Sequence, residues 1–372
     1  MLRSKHSRKT RRPLRAATGV LGGLALLGGG LYGFASADGP PTPSGWNLVW
    51  SDDFAGAAGS PPSGDNWIVD TGTSYPGGAP HWGTGEVQTY ASDPANLQQD
   101  GAGNLKITPI RDAAGNWTSA RIETKRSDFE PPAGGKLRIE SRIQVPDVTG
   151  DAADGYWPAF WALGAPFRGN YQNWPGIGEF DVMENANGDN KVFGTLHCGT
   201  DPGGPCNETS GIGANRPCPD TACAGNFHTY AFEWDRSVSP QELRWYVDGV
   251  QYHSVNASRM DAATWNAATG HGHFILLNLA MGGALPDPLA AHATPGSSTR
   301  SGVPMLVDYV SVYSSGHRLR LRPSGAARSG AGRARRRPAG SGGAPRHSPP
   351  PGSPRAAGPP PGPGTPRPST DR

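Results

Sequence analysis

Glu179, Asp181 and Glu184 place three carboxylates within six residues, in the segment Trp174-Pro175-Gly176-Ile177-Gly178-Glu179-Phe180-Asp181-Val182-Met183-Glu184-Asn185. A close pair of acids, one protonated and one ionised, is the equipment for cleaving a glycosidic bond. In a strand, residues i and i+2 face the same way, so Glu179 and Asp181 share a face while Phe180 and Val182 point into a core. Glu184, at i+5, would fall on the core side, where a lone carboxylate is costly. One β-bulge near Met183 restores the phase and lines up all three. Glu179 and Glu184 then lie about four strand positions apart, roughly 13 Å along the backbone. Side chains leaning together close this to about 5–5.5 Å, the separation of a retaining pair. Acids this close raise at least one pKa, which keeps a glutamic acid protonated for general-acid work. Trp157, Trp161 and Trp174 precede the cluster and His197 follows it, offering aromatic faces to the C–H faces of sugar rings. Two other readings are a solvated polar strand, disfavoured by repulsion among three acids without a compensating role, and a metal site.

The elements that must hold these acids read as short strands. Alternating or apolar runs recur at 46–50, 105–110, 121–124, 136–145, 156–163, 179–184, 191–196, 228–234, 243–247, 273–280 and 305–313, separated by Gly, Pro, Asn and Asp. Asp248-Gly249 marks a two-residue hairpin returning through 250–254. Helical periodicity is nearly absent. The expected fold is all-β, two packed antiparallel sheets forming a sandwich.

Charge is distributed unevenly along the chain. Residues 1–37 carry seven basic and no acidic residues, then an apolar stretch ending at Ala35-Ser36-Ala37, the layout of an export signal. Thr10-Arg11-Arg12-Pro13-Leu14-Arg15 loosely resembles a twin-arginine signal, which implies a bacterial source. Residues 317–372 hold twelve arginines and one aspartate among Pro, Gly, Ser and Ala. Such a composition buries too little surface to offset ordering entropy, so disorder is expected there. It also resembles out-of-frame translation of a GC-rich gene, and it has no aromatic residue with which to act as a carbohydrate-binding module. The remaining 38–316 carries 15 basic and 30 acidic residues, a net of −15, despite an overall charge of +3. That acidity argues against a nucleic-acid partner and fits a neutral polysaccharide outside the cell. No other segment is apolar enough to span a membrane, so no membrane association is expected after signal cleavage. The four cysteines lie between Cys198 and Cys223. Export favours disulfides, and short Gly/Pro-containing loops favour Cys198–Cys206 with Cys218–Cys223. Zinc is the rival reading, with slight support from the Cys-x4-Cys spacing and His197.

Gly178-Glu179-Phe180-Asp181-Val182-Met183-Glu184 resembles the E-x-D-x-x-E signature of glycoside hydrolase family 16, in its bulged, laminarinase-like form. Further matches follow in order: Trp46-Asn47-Leu48-Val49-Trp50-Ser51-Asp52-Asp53-Phe54, Gly85-Glu86-Val87-Gln88-Thr89-Tyr90, Ser119-Ala120-Arg121-Ile122, Trp157-Pro158-Ala159-Phe160-Trp161, Phe227-His228-Thr229-Tyr230-Ala231-Phe232-Glu233-Trp234, Leu277-Asn278-Leu279-Ala280-Met281-Gly282-Gly283 and Val307-Asp308-Tyr309-Val310. The resemblance covers about 45–315. It implies a concanavalin-like β-jelly roll with a concave substrate-binding sheet, Glu179 as nucleophile, Glu184 as general acid/base and Asp181 as the residue that tunes the pair. It places Asn96, Arg121, Trp161, Trp174 and His197 around the cleft. It implies no catalytic cofactor, and a structural calcium ion at Asp308 and the backbone near Asp53. One departure concerns a rim of the cleft: many laminarinases follow Gly-Gly with Trp-Pro-Gly, whereas this chain has Gly282-Gly283-Ala284-Leu285.

The resulting expectation is a secreted, monomeric endo-β-1,3-glucanase. The alternatives are the same fold acting on mixed-linkage glucan, galactan or agar, and a non-catalytic lectin-like sandwich. The tail is expected to be dispensable. A chain ending at Gly316 should match the mature chain in rate on soluble laminarin, measured as reducing-sugar release; a large loss with circular dichroism unchanged would move the domain boundary.

Overall fold

Alternation in the sequence becomes two-sided strands. Glu242–Val247 alternates half-buried and buried along its whole length, and Lys136–Gln144 does so at both ends. The computed structural model describes residue 40 and residues 42–316. The expected export segment, 1–37, and tail, 317–372, lie outside these described residues.

The strands form two large antiparallel sheets. One runs from edge to edge as Ile212–Arg216, Val192–His197, Glu179–Glu184, Tyr156–Gly164, His273–Met281, Arg121–Thr124 and Trp67–Asp70. The other runs as Val250–Asn256, Glu242–Val247, Phe227–Asp235, Lys136–Gln144, Met305–Ser315, Leu105–Ile107 and Leu97–Gln99, with Asn47–Asp52 also paired to Met305–Ser315. Side chains from the two inner faces meet between them. Phe180 stacks on Phe232 with ring centroids 4.8 Å apart and meets Trp234 edge-on at 5.6 Å. Each such aromatic or aliphatic side chain withdrawn from water contributes about 1.5–3 kcal/mol, and all three of these rings are fully buried. His273–Met281 is buried at every residue, as befits an interior strand covered on both faces.

The all-β sandwich expected from the sequence is therefore present, with three refinements. A small third sheet pairs Thr89–Tyr90 with Trp117–Ser119 in parallel, and Trp117–Ser119 with Ile110–Arg111. The final strand, Met305–Ser315, lies inside its sheet, between Lys136–Gln144 and Asn47–Asp52. Ile212–Arg216 escapes the alternation rule because only one of its five residues is a large apolar one and its edge position leaves it half solvated. The Asp248-Gly249 hairpin is present, with Val247 paired to Val250 and both turn residues at positive φ (47° and 76°). Asp261 caps the short helix Ala262–Thr269 through the Thr264 amide. Both disulfides have the favoured pairing, Cys198–Cys206 and Cys218–Cys223, so the zinc reading falls.

Gly178 leads into the strand that carries the acids. It has φ +78°, and a β-carbon there would collide with the Ala268 carbonyl oxygen of the helix. Its own carbonyl accepts the Gly164 amide at 2.9 Å. Positive φ alone costs an L-residue about 1–2 kcal/mol. Gly178→Ala should lower stability by at least ~1–2 kcal/mol, read as a lower urea midpoint; an unchanged midpoint would show that the approach of helix to strand is loose.

Candidate active site

The bulge sits at Val182–Met183. Along the neighbouring strand, Glu179 pairs with Leu163, Asp181 with Trp161, Met183 with Phe160 and Glu184 with Ala159, leaving Val182 without a counterpart. On the other side, Asp181 pairs with Thr195 and Glu184 with Phe193, so three residues span what two span opposite. Val182 and Met183 are both fully buried, as is Phe180. The extra residue turns Glu184 back to the face that carries Glu179 and Asp181.

Each acid has its own set of partners. Trp174 Nε1 donates to Glu179 Oε2 at 3.1 Å, and Trp157 Nε1 donates to Glu184 Oε1 at 2.8 Å. Asp181 is anchored through its backbone, where its carbonyl accepts Trp245 Nε1 at 2.8 Å. Its Oδ2 is buried with no hydrogen-bond donor aligned on it. The nearest charge is His197 Nε2 at 3.3 Å, which also stands 4.0 Å from Glu179 Oε1. His197 is placed by strand register, directly across from Glu179, with its ring 5.5 Å from that of Trp174.

Electrostatics separates the two glutamates. Burial, reinforced by the charge of Asp181, pushes Glu184 up to about 8, with the Trp157 N–H acting in the opposite direction. Glu179 is also pushed well above the carboxylate range, by burial, Asp181 and Glu184, while His197 and Trp174 oppose this. Burial by itself would neutralise His197, yet its carboxylate neighbours Asp181 and Glu208 raise it well above the usual histidine range. Three acids this close cannot all ionise, so the cluster holds a proton at neutral pH. The imidazolium stands beside Glu179, whereas Glu184 has only a neutral indole in contact. Burial and the neighbouring acids raise both glutamates, and the difference in their neighbours favours the negative charge on Glu179.

Trp161, Trp174 and His197 gather with the acids as expected. Trp161 lies opposite Asp181 and donates its Nε1 to Asn278 Oδ1 at 2.7 Å. Arg121 and Asn96 are engaged elsewhere. Arg121 is buried against Asp70 at 3.2 Å, and its guanidinium lies 4.5 Å from the centre of the Trp82 ring, 5.0 Å from Trp161 and 5.2 Å from Tyr75. By register through Asn278 and Ala159 it lies on the same sheet face as Glu184, packed against these rings. The Asn96 amide is buried and donates to Thr108 O at 2.9 Å and Thr118 Oγ1 at 3.0 Å, tying one loop to the small third sheet.

Asp53 follows the strand Asn47–Asp52, whose last residue pairs with Val310, two residues beyond Asp308. Asp308 Oδ2 is already bonded to Arg142 Nη1 at 2.8 Å, and Asp53 Oδ1 accepts its own loop's Ala55 amide at 3.3 Å. The Arg142 bond takes one of the two Asp308 carboxylate oxygens; the expected calcium ion would use the other together with backbone oxygens near Asp53. Among the described residues, the one group of three potential metal ligands is Glu179, Asp181 and His197. A charged imidazole is no ligand, so the metal reading of the acids is not favoured.

Two contributors are not legible as such in the sequence. Trp157 offers aromatic surface there, whereas in the structure it bonds Glu184. Glu208 lies outside the acid segment, yet its Oε2 lies 2.7 Å from His197 Nδ1. A signal for it existed: His197 precedes Cys198, Glu208 follows Cys206 by two, and the disulfide joins those cysteines.

Residues 134–272, which include the three acids, His197 and Glu208, match the family model described as glycosyl hydrolases family 16. The chain is similar to the crystal structure of endo-1,3-beta-glucanase from Streptomyces sioyaensis, at 63% identity and a TM-score of 0.73, covering 74% of this chain and 99% of that one. Curated relatives include the clotting factor G alpha subunit of Tachypleus tridentatus, 31% identical over 72% of this chain, and glucan endo-1,3-beta-glucosidase A1 of Niallia circulans, 31% identical over 73%. The chain spans 34% and 38%, respectively, of the length of those two relatives.

The Trp157 hydrogen bond is the local interaction that favours a charged Glu184. Trp157→Phe should therefore move Glu184 above its value of about 8, read from the midpoint of its side-chain carbon resonance in glutamate-labelled protein. A midpoint that stays put or falls would show that this bond does not act on the charge.

Proposed function

Because the chain belongs to glycosyl hydrolases family 16, we propose that it is a secreted endo-β-1,3-glucanase that cleaves laminarin-type glucan with retention of configuration. The observation that carries this reading is the bulge-aligned acid pair in two different settings, Glu179 beside a cation and an indole N–H, Glu184 raised to about 8. The similarity to the Streptomyces sioyaensis endo-1,3-beta-glucanase supports the choice of β-1,3 linkages. The basic and apolar start of the chain supports export.

Glu179 attacks the anomeric carbon as the Glu184 proton passes to the departing glycosidic oxygen, breaking the C–O bond and leaving a glycosyl ester on Glu179. Glu184, now a carboxylate, takes a proton from water. The resulting attack at the same carbon releases Glu179 and restores the proton on Glu184. One water is consumed per bond broken, and two inversions give net retention. The four strand positions between Glu179 and Glu184, counted on the partner strand from Leu163 to Ala159, suit the short separation that this route needs. Asp181 stands between the pair in sequence, and its charge adds to burial in raising Glu184. Trp161 and Trp174 give ring faces on which glucose units can stack.

Proton NMR of early laminarin products should show the β-anomer first; an initial α-anomer would remove Glu179 from the nucleophile's role. Glu179→Gln and Glu184→Gln should each lower kcat by at least about 10²–10⁴-fold. Azide should restore turnover of an activated aryl glycoside by Glu184→Ala, and should give an α-glycosyl azide with Glu179→Ala. Reducing-sugar release should be greatest on laminarin; greater release from lichenan, agarose or galactan would redirect the substrate assignment.

A further inference from the structure

Behind His197, on the side away from the acids, lies a carboxylate that the double displacement does not use. The Glu208 side chain is wholly buried. Both its oxygens are engaged: Oε2 with His197 Nδ1 at 2.7 Å, and Oε1 as acceptor of the Cys198 amide at 3.0 Å. Among the described residues its one ion-pair partner is His197. A buried carboxylate with a single cationic partner is strongly destabilised if that partner becomes neutral. Glu208 and His197 therefore keep their charges together.

The ring has little freedom to leave this arrangement. Gly211, at φ +72°, brings its backbone so close that a β-carbon would lie 2.9 Å from His197 Cε1. Trp174 flanks the ring at 5.5 Å. The Cys198–Cys206 disulfide joins the residue after His197 to the residue two before Glu208, so the loop cannot carry the carboxylate away. With Nδ1 held by Glu208, Nε2 stands 3.3 Å from Asp181 Oδ2 and 4.0 Å from Glu179 Oε1. The charged groups facing the ring are thus Glu208 from the loop and Glu179 and Asp181 from the bulged strand, with Glu184 further along it.

We propose that Glu208 is a positioning residue for the reaction: it holds His197 as a fixed imidazolium against Asp181 and Glu179, and this keeps the nucleophile ionised within a cluster of three acids. The proposal rests on the double-displacement reading above. In mechanism it resembles other carboxylate–histidine pairs, in which the carboxylate sets the tautomer and charge of the ring that does the work. Here the ring transfers no proton. Its task is electrostatic, and Glu208 sustains it.

The test compares wild type, Glu208→Gln, His197→Gln and the double variant. In wild type, nitrogen NMR of His197 should show a doubly protonated ring from pH 5 through pH 8; a neutral ring at pH 6 would overturn the proposal without any variant. In Glu208→Gln the ring should lose its proton within that range. The acidic limb of kcat/KM on laminarin should then move to higher pH, since Glu179 loses its cation. At pH 6, kcat should fall about ten- to hundredfold, with KM changing little. The double variant should be no worse than His197→Gln, because Glu208 acts through that ring. A fall in kcat with the acidic limb unmoved would reduce Glu208 to a structural role and overturn the proposal. If Glu208→Gln fails to fold, Glu208→Asp carries the same comparison, with a partial shift expected and an unshifted limb counting against the proposal. A wild-type protein inactive on every glucan would sink the enzyme reading, while the His197 titration would still decide whether Glu208 keeps that ring charged.

Discussion

One extra residue at Val182–Met183 forces Glu179, Asp181 and Glu184 onto the same face, and mutual repulsion of those carboxylates governs what surrounds them. Without the bulge, Glu184 would be driven into the core among Phe180 and Phe232. With it, three acids share one surface, and their charges must be answered. The answers differ from acid to acid. Glu179 receives a cation and an indole N–H, Asp181 receives the same cation and a backbone anchor, and Glu184 receives only an indole N–H. That inequality gives the two glutamates of a single strand different electrostatic settings.

The aromatic wall next to the acids is built on a second buried charge cluster of opposite logic. There a cation is the centre and carboxylates surround it. Arg121 is paired with Asp70 and enclosed by Tyr75, Trp82 and Trp161. Burial raises Asp70 to about 6 and Glu86 to about 7, with the Arg121 charge opposing in both cases. From Glu86 a chain of hydrogen bonds runs through the Tyr90 hydroxyl and Asn278 to the Trp161 indole. The orientation of Trp161 is therefore set by groups that never reach the surface. Such networks rigidify a site because each member is costly to leave unpaired.

The two large sheets divide the work. The sheet of Met305–Ser315 meets solvent with a ladder of ion pairs, in which Arg138 bridges Glu140 and Glu233 and Arg244 bridges Glu242 and Asp235. The sheet of Glu179–Glu184 instead covers its outer face with aromatic side chains and the acids. Phe180, Val182 and Met183 join the two from within, so the bulge is clamped from the core side as well as by its neighbouring strands.

Local spacing was enough to read much of this from the sequence. Period-two alternation identifies most strands, because a side chain's face depends only on its position along its own strand. The phase error between Asp181 and Glu184 exposes the bulge for the same reason, and short intervals between cysteines favour the disulfide pairing. What could not be read are the partners that arrive from distant segments. Arg121 shares the face of Glu184 by register, yet it meets Asp70 across 51 residues and is buried beside Trp161. Asn96 is drawn into Thr108 and Thr118, and Asp308 is taken by Arg142 across 166 residues. Trp157 bonds Glu184 while the Trp161 indole turns to Asn278, although both are tryptophans of one strand. Glu208 reaches His197 only once the loop is folded and bridged. Spacing along a strand decides which way a carboxylate points, but its charge state depends on neighbours that only packing between strands and loops can bring within a few ångströms.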